Sequence, residues 1–250
     1  MRITSFKTDE PLVIYAFSDT HIGSNCFARD KLKEHIEVCR SEGAYWTHNG
    51  DWIEGIAPDD RRYYVQDDDT KEMYPSIMSQ LDGVEELFEP IKGKGLAVLS
   101  GNHEAVLAKK LGGIGKRIAR RLDTPYLGEI GFLDLKVMGQ NIPMLLWHGA
   151  WGGELRGAKA NRNHRQGHKF DAKIYLTGHW HTWDPYQDNQ LFIKRGKVKK
   201  NKRYYIALPS YYDTYSNGGN YAQARAYYDG PVGCCKLTLT DKSIKYELIE

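Results

Sequence analysis

The nine histidines of this 250-residue chain are not scattered evenly: six of them stand at or just after short apolar runs, in the company of Asp, Asn and Gly. LVIYAFS leads into Asp19 and His21, AYWTH into Gly50 and Asp51, and LAVLS into Asn102 and His103. PMLLW ends at His148, and AKIYLT leads into His179 and His181. Carboxylate, imidazole and amide oxygen without thiolate form a donor set suited to Mn, Fe, Zn or Ni, and softness alone does not choose among these ions. Any one of these stations means little. An H-x-H pair arises readily by chance, a strand-end histidine is usually a packing residue, and Asn102 with "HEAVLAKKL" behind it reads as a helix cap. Five stations, each at the end of an apolar run, point instead to one metal cluster.

Such a cluster needs elements that deliver its members to one place. The apolar runs at 12–18, 44–48, 96–100, 131–137, 143–147 and 172–177 read as strands, and RDKLKEHIEVCR (29–40) reads as a helix with Leu32, Ile36 and Cys39 on one face. Helical patterns near 75–91 and 104–121 complete an alternating α/β order. After His181 the pattern turns to β: QLFIKR and RYYIAL flank a Lys-rich turn, and VGCCKLTL and SIKYELI form a terminal hairpin. No repeat or linker divides the chain, so residues 1–250 are expected to form a single domain. In α/β sheets ligands bind beyond the carboxyl ends of the strands, which is where all five stations fall. Gly50, Gly101 and Gly178 adjoin the stations, where side chains must be aimed back by tight turns.

The blocks D-x-H, G-D, G-N-H-E, H-G and G-H-x-H, in this order over residues 19–181, resemble the calcineurin-like metallophosphoesterases. The resemblance implies a central β-sandwich of two mixed sheets flanked by helices, with a dinuclear metal site at the strand carboxyl ends. It implies that Asp19, His21 and His181 hold one divalent ion and Asn102, His148 and His179 the other, with Asp51 bridging them. Manganese is the foremost candidate, and the expected reaction is attack of a metal-bridging hydroxide on a phosphoester. His103 matches the proton donor to the leaving oxygen. In the protein-phosphatase branch that imidazole is oriented by an acid three residues after the bridging Asp. Here "GDWIEG" places Glu54 in that role, with a longer side chain, and Gly55 where that branch carries a phosphate-binding Arg. The missing Arg argues against a protein Ser/Thr phosphatase. Glu104 is the other candidate orienter, or simply a carboxylate in the first turn of a helix. "SDTHIGSN" with "GNHE" also resembles the nuclease branch typified by the Mre11 and SbcD repair proteins.

The net charge of +3 is too small to name a polyanionic partner, so local patches carry that question. LRGAKANRNHRQGHK (155–169) holds Arg156, Arg162 and Arg165, candidate substrate contacts, with no acid, and IKRGKVKKNKRYY (193–205) holds seven cations. Both read either as solvated faces or as tracks for a nucleic-acid backbone. Tyr211, Tyr212, Tyr215, Tyr221, Tyr227 and Tyr228 could stack bases or pack a loop. "PDDRRYYVQDDD" (58–69) reads as a solvated acidic insert, and His35 and His48 as surface or strand-end residues. The four cysteines have no C-x-x-C spacing and read as reduced thiols, with Cys234 and Cys235 on opposite faces of a strand. With no apolar span and no secretory leader, a cytoplasmic protein without membrane contact is expected. The function expected is a metal-dependent phosphodiesterase or nuclease acting on nucleic acid or nucleotides. The alternatives are a phosphomonoesterase on a small metabolite or phosphopeptide, and a non-catalytic metal-binding scaffold.

Overall fold

Two six-stranded sheets lie face to face in a computed structural model that describes residues 1–56, 75–151, 153, 155–215, 223 and 226–250. The acidic insert at 58–69 and Tyr221 lie outside the described residues. The strands are β1 (Arg2–Thr8), β2 (Leu12–Phe17), β3 (Tyr45–His48), β4 (Gly95–Leu99), β5 (Tyr126–Gly128) and β6 (Ile130–Val137). They continue with β7 (Gln140–Trp147), β8 (Ile174–Thr177), β9 (Asp184–Lys194), β10 (Lys197–Ala207), β11 (Cys234–Leu239) and β12 (Ile244–Ile249). One sheet has the order β1-β6-β7-β8-β10-β9, the other β12-β11-β2-β3-β4-β5.

The alternation of side chains along each strand explains the layering. In β2, Leu12, Ile14 and Ala16 enter the core between the sheets, where they join Leu146 of β7 and Leu176 of β8. Tyr15 and Phe17 point the other way, into a second core under α1 (Arg29–Ser41) and α2 (Ile77–Phe88). Cys234 and Cys235 divide in the same way, one into each core. A third, smaller cluster of Leu145, Tyr175 and Tyr205 lines the outer face of the first sheet. Both faces of the central strands are therefore buried, which is why they read as continuous apolar runs.

Most elements coincide with their sequence patterns, and the differences have local causes. The helical pattern at 104–121 is two helices, α3 (Asn102–Leu111) and α4 (Ile114–Arg121), because Gly112 leaves the helix at φ +78°. The pattern at 75–91 begins after Ser76, whose side chain accepts from Ser79 N at 3.1 Å, and tightens into a 3₁₀ turn over Glu89–Ile91 at Pro90. The basic stretch at 155–169 forms α5 (Arg156–His164) and α6 (Gln166–Lys169). Strand β1 has no sequence counterpart, since RITSFKT is a polar edge strand that gains its place by pairing in parallel with β6. Among the described residues no helix is long and apolar enough to cross a membrane.

All four cysteines are buried free thiols. Burial pushes Cys39 and Cys234 up to about 12. A thiol reagent is therefore expected to leave the native protein unmodified at neutral pH and to titrate all four on unfolding. Rapid modification of the folded chain would show that these side chains are accessible.

Candidate metal centre

Strands β2, β3 and β4 are parallel neighbours in one sheet, and β7, β8 and β10 are parallel neighbours in the other. Their carboxyl ends open at the same edge of the sandwich, so the loops after Phe17, His48, Leu99, Trp147 and Thr177 meet there. Asn49 ties the two sheets at this edge: its side chain donates to Leu176 O at 2.9 Å and to Trp147 O at 3.3 Å. Nothing in the sequence singles out Asn49 beyond its place in "THNGD".

Donor atoms of Asp19, His21 and His181 lie within 4.8 Å of one another, as do those of His21, Asp51 and His103, and those of Asp51, His148 and His179. Asp51 thus belongs to two groups, and its Oδ2 lies 3.3 Å from His148 Nε2. Asn102, the first residue of α3, brings its Oδ1 within 3.0 Å of His148 Nε2. The structure assembles all seven side chains that the resemblance assigned as ligands.

Backbone conformation marks the same residues. Asp19, His21, Asp51, His179 and His181 all have φ between +46° and +71°. A left-handed backbone is uncommon outside Gly and Asn, and holding it costs of order 1 kcal/mol per residue. Five such residues in one cluster are tolerated because the surrounding loops over-determine them. Gly50, at φ +97°, adds close approach, since a Cβ there would stand 2.5 Å from Gly101 N and 2.8 Å from His148 Nδ1.

Hydrogen bonds orient the imidazoles. His148 Nδ1 donates to Asn49 O at 2.8 Å, leaving Nε2 to face the cluster. His21 Nδ1 meets Glu54 Oε2 at 2.9 Å, leaving its Nε2 3.2 Å from His181 Nε2. This corrects the expectation for Glu54: its carboxylate orients His21, and only its backbone carbonyl accepts from His103 Nδ1. The extra methylene relative to Asp carries the carboxylate past His103. Replacing Glu54 with Gln is expected to weaken divalent-ion affinity about 10- to 100-fold, read by calorimetric titration of metal-stripped protein. Unchanged affinity would assign Glu54 to packing.

Glu104 does not orient His103 either. Its buried carboxylate accepts from the backbone N–H of Asp51, Trp52, Ile53 and Gly101 at 2.7–3.3 Å, closing the start of α3 onto the loop that carries Asp51. Burial and the Asp51 charge push Glu104 up to about 7, opposed by the Gly101 N–H. Against burial, which would raise it, His181 and His148 hold Asp19 down at about 2. Burial would lower His148, yet the Asp51 carboxylate beside it raises this imidazole to about 10. Burial and the His148 charge lower His179 to about 4. Two buried carboxylates thus draw positive charge into the cluster.

Other expectations shift. His35 is buried on α1, not at the surface, with Nδ1 2.8 Å from the Tyr211 hydroxyl. His48 is a buried strand-end residue stacked 3.5 Å from Trp52. Tyr211 is wholly buried and so cannot stack a base. Tyr212 borders the cluster, its ring 5.2 Å from His21 and 5.7 Å from His181. Tyr215, Tyr227 and Tyr228 are exposed. Arg156 pairs with Asp184 at 2.7 Å, Arg162 donates to Trp151 O, and Arg165 is exposed at the end of α5. From this basic stretch it is Lys159 that reaches the His179–His181 loop, donating to Thr182 Oγ1 at 3.2 Å and Trp180 O at 3.3 Å. The lysine-rich hairpin does not approach the centre. Strand β10 runs parallel to β8 with Ala207 opposite Thr177, so its lysine end leaves the opposite edge of the sheet, about 30 Å from the histidines at ~3.3 Å per residue.

Two mixed six-stranded sheets flanked by helices, with parallel strands ending at one His/Asp cluster, form the architecture that the sequence resemblance implied. Among solved structures, this chain is similar to a metallophosphoesterase from Sphaerobacter thermophilus, at 12% identity and TM-score 0.45, covering 96% of this chain and 89% of the other. It is similar to a predicted phosphoesterase from Streptococcus pneumoniae TIGR4, at 14% identity and TM-score 0.44, covering 96% and 89%. It is also similar to Vps29 of Entamoeba histolytica complexed with Zn²⁺, at 14% identity and TM-score 0.44, covering 95% and 98%. The chain matches no protein-family model and no curated protein sequence.

Proposed function

We propose that this metallophosphoesterase-like protein is a dinuclear metal-dependent phosphodiesterase acting on nucleic acid or nucleotides. The observation that carries the proposal is the convergence of seven oxygen and nitrogen donors, five of them on left-handed backbone, at the edge where six parallel strands end. The residues fit a pair of divalent ions. With Nδ1 held by Glu54, His21 turns its Nε2 to the cluster, 3.2 Å from His181 Nε2, so both imidazoles present a nitrogen where a cation can be bound. Asp19, His21 and His181 would hold one ion, Asn102, His148 and His179 the other, and Asp51 both, with Mn²⁺ the first ion to test. Such ions supply Lewis acidity and an activated water for in-line displacement at phosphorus.

The chain's own groups supply the rest. Asn102 offers a neutral oxygen, which adds no negative charge to an electrophilic site. His103 Nδ1 must carry a proton, because its partner is the Glu54 carbonyl, which cannot donate. Its Nε2, 4.0 Å from Asp51 Oδ2, is then the atom that takes up and releases a proton on the cluster side. Burial works against a charged His103, but the Asp51 and Glu54 charges raise its affinity for that proton. A protonated Nε2 suits donation to a leaving oxygen. Tyr212 walls one side of the centre, and Lys159 stiffens the loop bearing His179 and His181.

Protein stripped of metal and reloaded with Mn²⁺ is expected to hydrolyse an aryl phosphodiester. A panel of single-stranded DNA, duplex DNA, RNA, cyclic nucleotides and phosphomonoesters then ranks substrates. Turnover of monoesters alone would replace the diester reading, and inactivity with every divalent ion would favour a binding scaffold. His103→Ala is expected to retain both ions but to lose about 100-fold in turnover on esters with poor leaving groups and far less on nitrophenyl esters. Equal rates for mutant and parent on the poor leaving groups would remove His103 from proton transfer.

A further inference from the structure

The lysine-rich hairpin departs from the rest of the molecule. Strand β10 pairs with β8 only over Tyr204–Ala207, so residues 189–202 form a two-stranded ribbon that stands off the sheet with both faces in solvent. Its turn is Arg195 and Gly196, both left-handed, which keeps the two strands in tight register. Leu191, Ile193 and Val198 are 61%, 79% and 68% exposed.

The ribbon carries six exposed cations, Lys194, Arg195, Lys197, Lys199, Lys200 and Lys202, and no acid between Asn189 and Arg203. Among the described residues none of the six is in a salt bridge. The seventh cation of the stretch, Arg203, is buried and donates to Gly167 O at 2.8 Å. Register places the charges on both faces. Lys199 lies opposite Phe192 and Lys197 opposite Lys194 on one face, while Lys200 lies opposite Leu191 and Lys202 opposite Asn189 on the other. Edge lysines alone would suffice to prevent strand pairing, so cations on both faces call for a further cause.

We infer that this ribbon is an arm that docks in the groove of duplex DNA. The inference rests on the nucleic-acid reading proposed above and extends it with a contact remote from the metal centre. Three physical points select the partner. Six like charges repel a second copy of the ribbon, which disfavours self-pairing as the cover for its apolar residues. A flat anionic bilayer engages one face, whereas a groove has a wall of phosphates on each side and so meets cations on both. The major groove of B-form DNA admits a two-stranded ribbon, and the deep, narrow major groove of A-form RNA does not. Ile193 and Val198, paired across the ribbon beside its turn, would then lie near the groove floor, in contact with apolar parts of the base edges.

The test is binding without hydrolysis, so that it stands apart from the catalytic reading. The metal-stripped 250-residue chain is titrated with a fluorescent 20-base-pair DNA duplex by anisotropy at 50–200 mM salt. The expected slope of log K against log[salt] is about −4 to −5, at about 0.9 for each phosphate engaged. Replacing Lys197, Lys199, Lys200 and Lys202 together with Gln is expected to weaken binding at least about 100-fold and to flatten the slope by about 3 to 4, with the thermal unfolding midpoint unchanged. Binding by the variant equal to the parent overturns the inference. So does equal affinity of the parent for duplex RNA, or binding to phosphatidylserine vesicles without binding to the duplex. A parent that binds the duplex but hydrolyses no phosphodiester after metal reloading keeps the arm and loses the proposed activity.

Discussion

Asp51→Asn is expected to reduce metal-dependent phosphodiester hydrolysis by at least about a thousandfold while leaving the fold intact. The asparagine keeps an acceptor for His103 N, which bonds Asp51 Oδ1 at 3.0 Å at the start of α3. What it removes is the charge and the second carboxylate oxygen that face His148. A residue that belongs to two donor groups cannot be compensated by either group alone. Calorimetric titration is therefore expected to show the loss of at least one ion per chain, with a thermal midpoint within a few degrees of the parent. Retained turnover with two ions bound would remove Asp51 from the centre, and with it the dinuclear reading.

The second large effect falls on stability. Glu104→Gln is expected to destabilise the protein by about 3 kcal/mol, because one of the two oxygens becomes an amide that donates toward backbone N–H groups. Each Glu104 oxygen accepts two such groups, Oε2 from Asp51 and Gly101 and Oε1 from Trp52 and Ile53, so either orientation of the amide leaves two buried donors opposed. For a chain of this size the midpoint should fall by about 6–12 °C. Activity should fall with it, since the same hydrogen bonds place Asp51. A midpoint within 2 °C of the parent would mean that water, not Glu104, satisfies those N–H groups.

The sandwich strands and α1 were legible because their apolar spacing records burial directly, and a buried strand has few ways to be spelled. The meeting of the five Asp/His stations at one edge was legible for a related reason. Ligand chemistry restricts residue type, and each station adjoins a strand that is itself recognisable. Strand β1 was hidden because a polar edge strand has no burial pattern to record. The break at Gly112 was masked by helix-forming residues on both sides.

What the sequence determined by itself is therefore the kind of donor, its order along the chain and the strands that carry it, all of them local properties. Partner choice within the centre was decided by tertiary structure alone. Glu54 serves His21 rather than His103, Glu104 closes the Asp51 loop, Asn49 and Tyr212 join the site, and the lysine ribbon points away from it. Each of these depends on a few ångströms of reach between segments far apart in the chain. Spacing along a sequence carries no information about such distances until the sheets are paired and the strands have been given their directions.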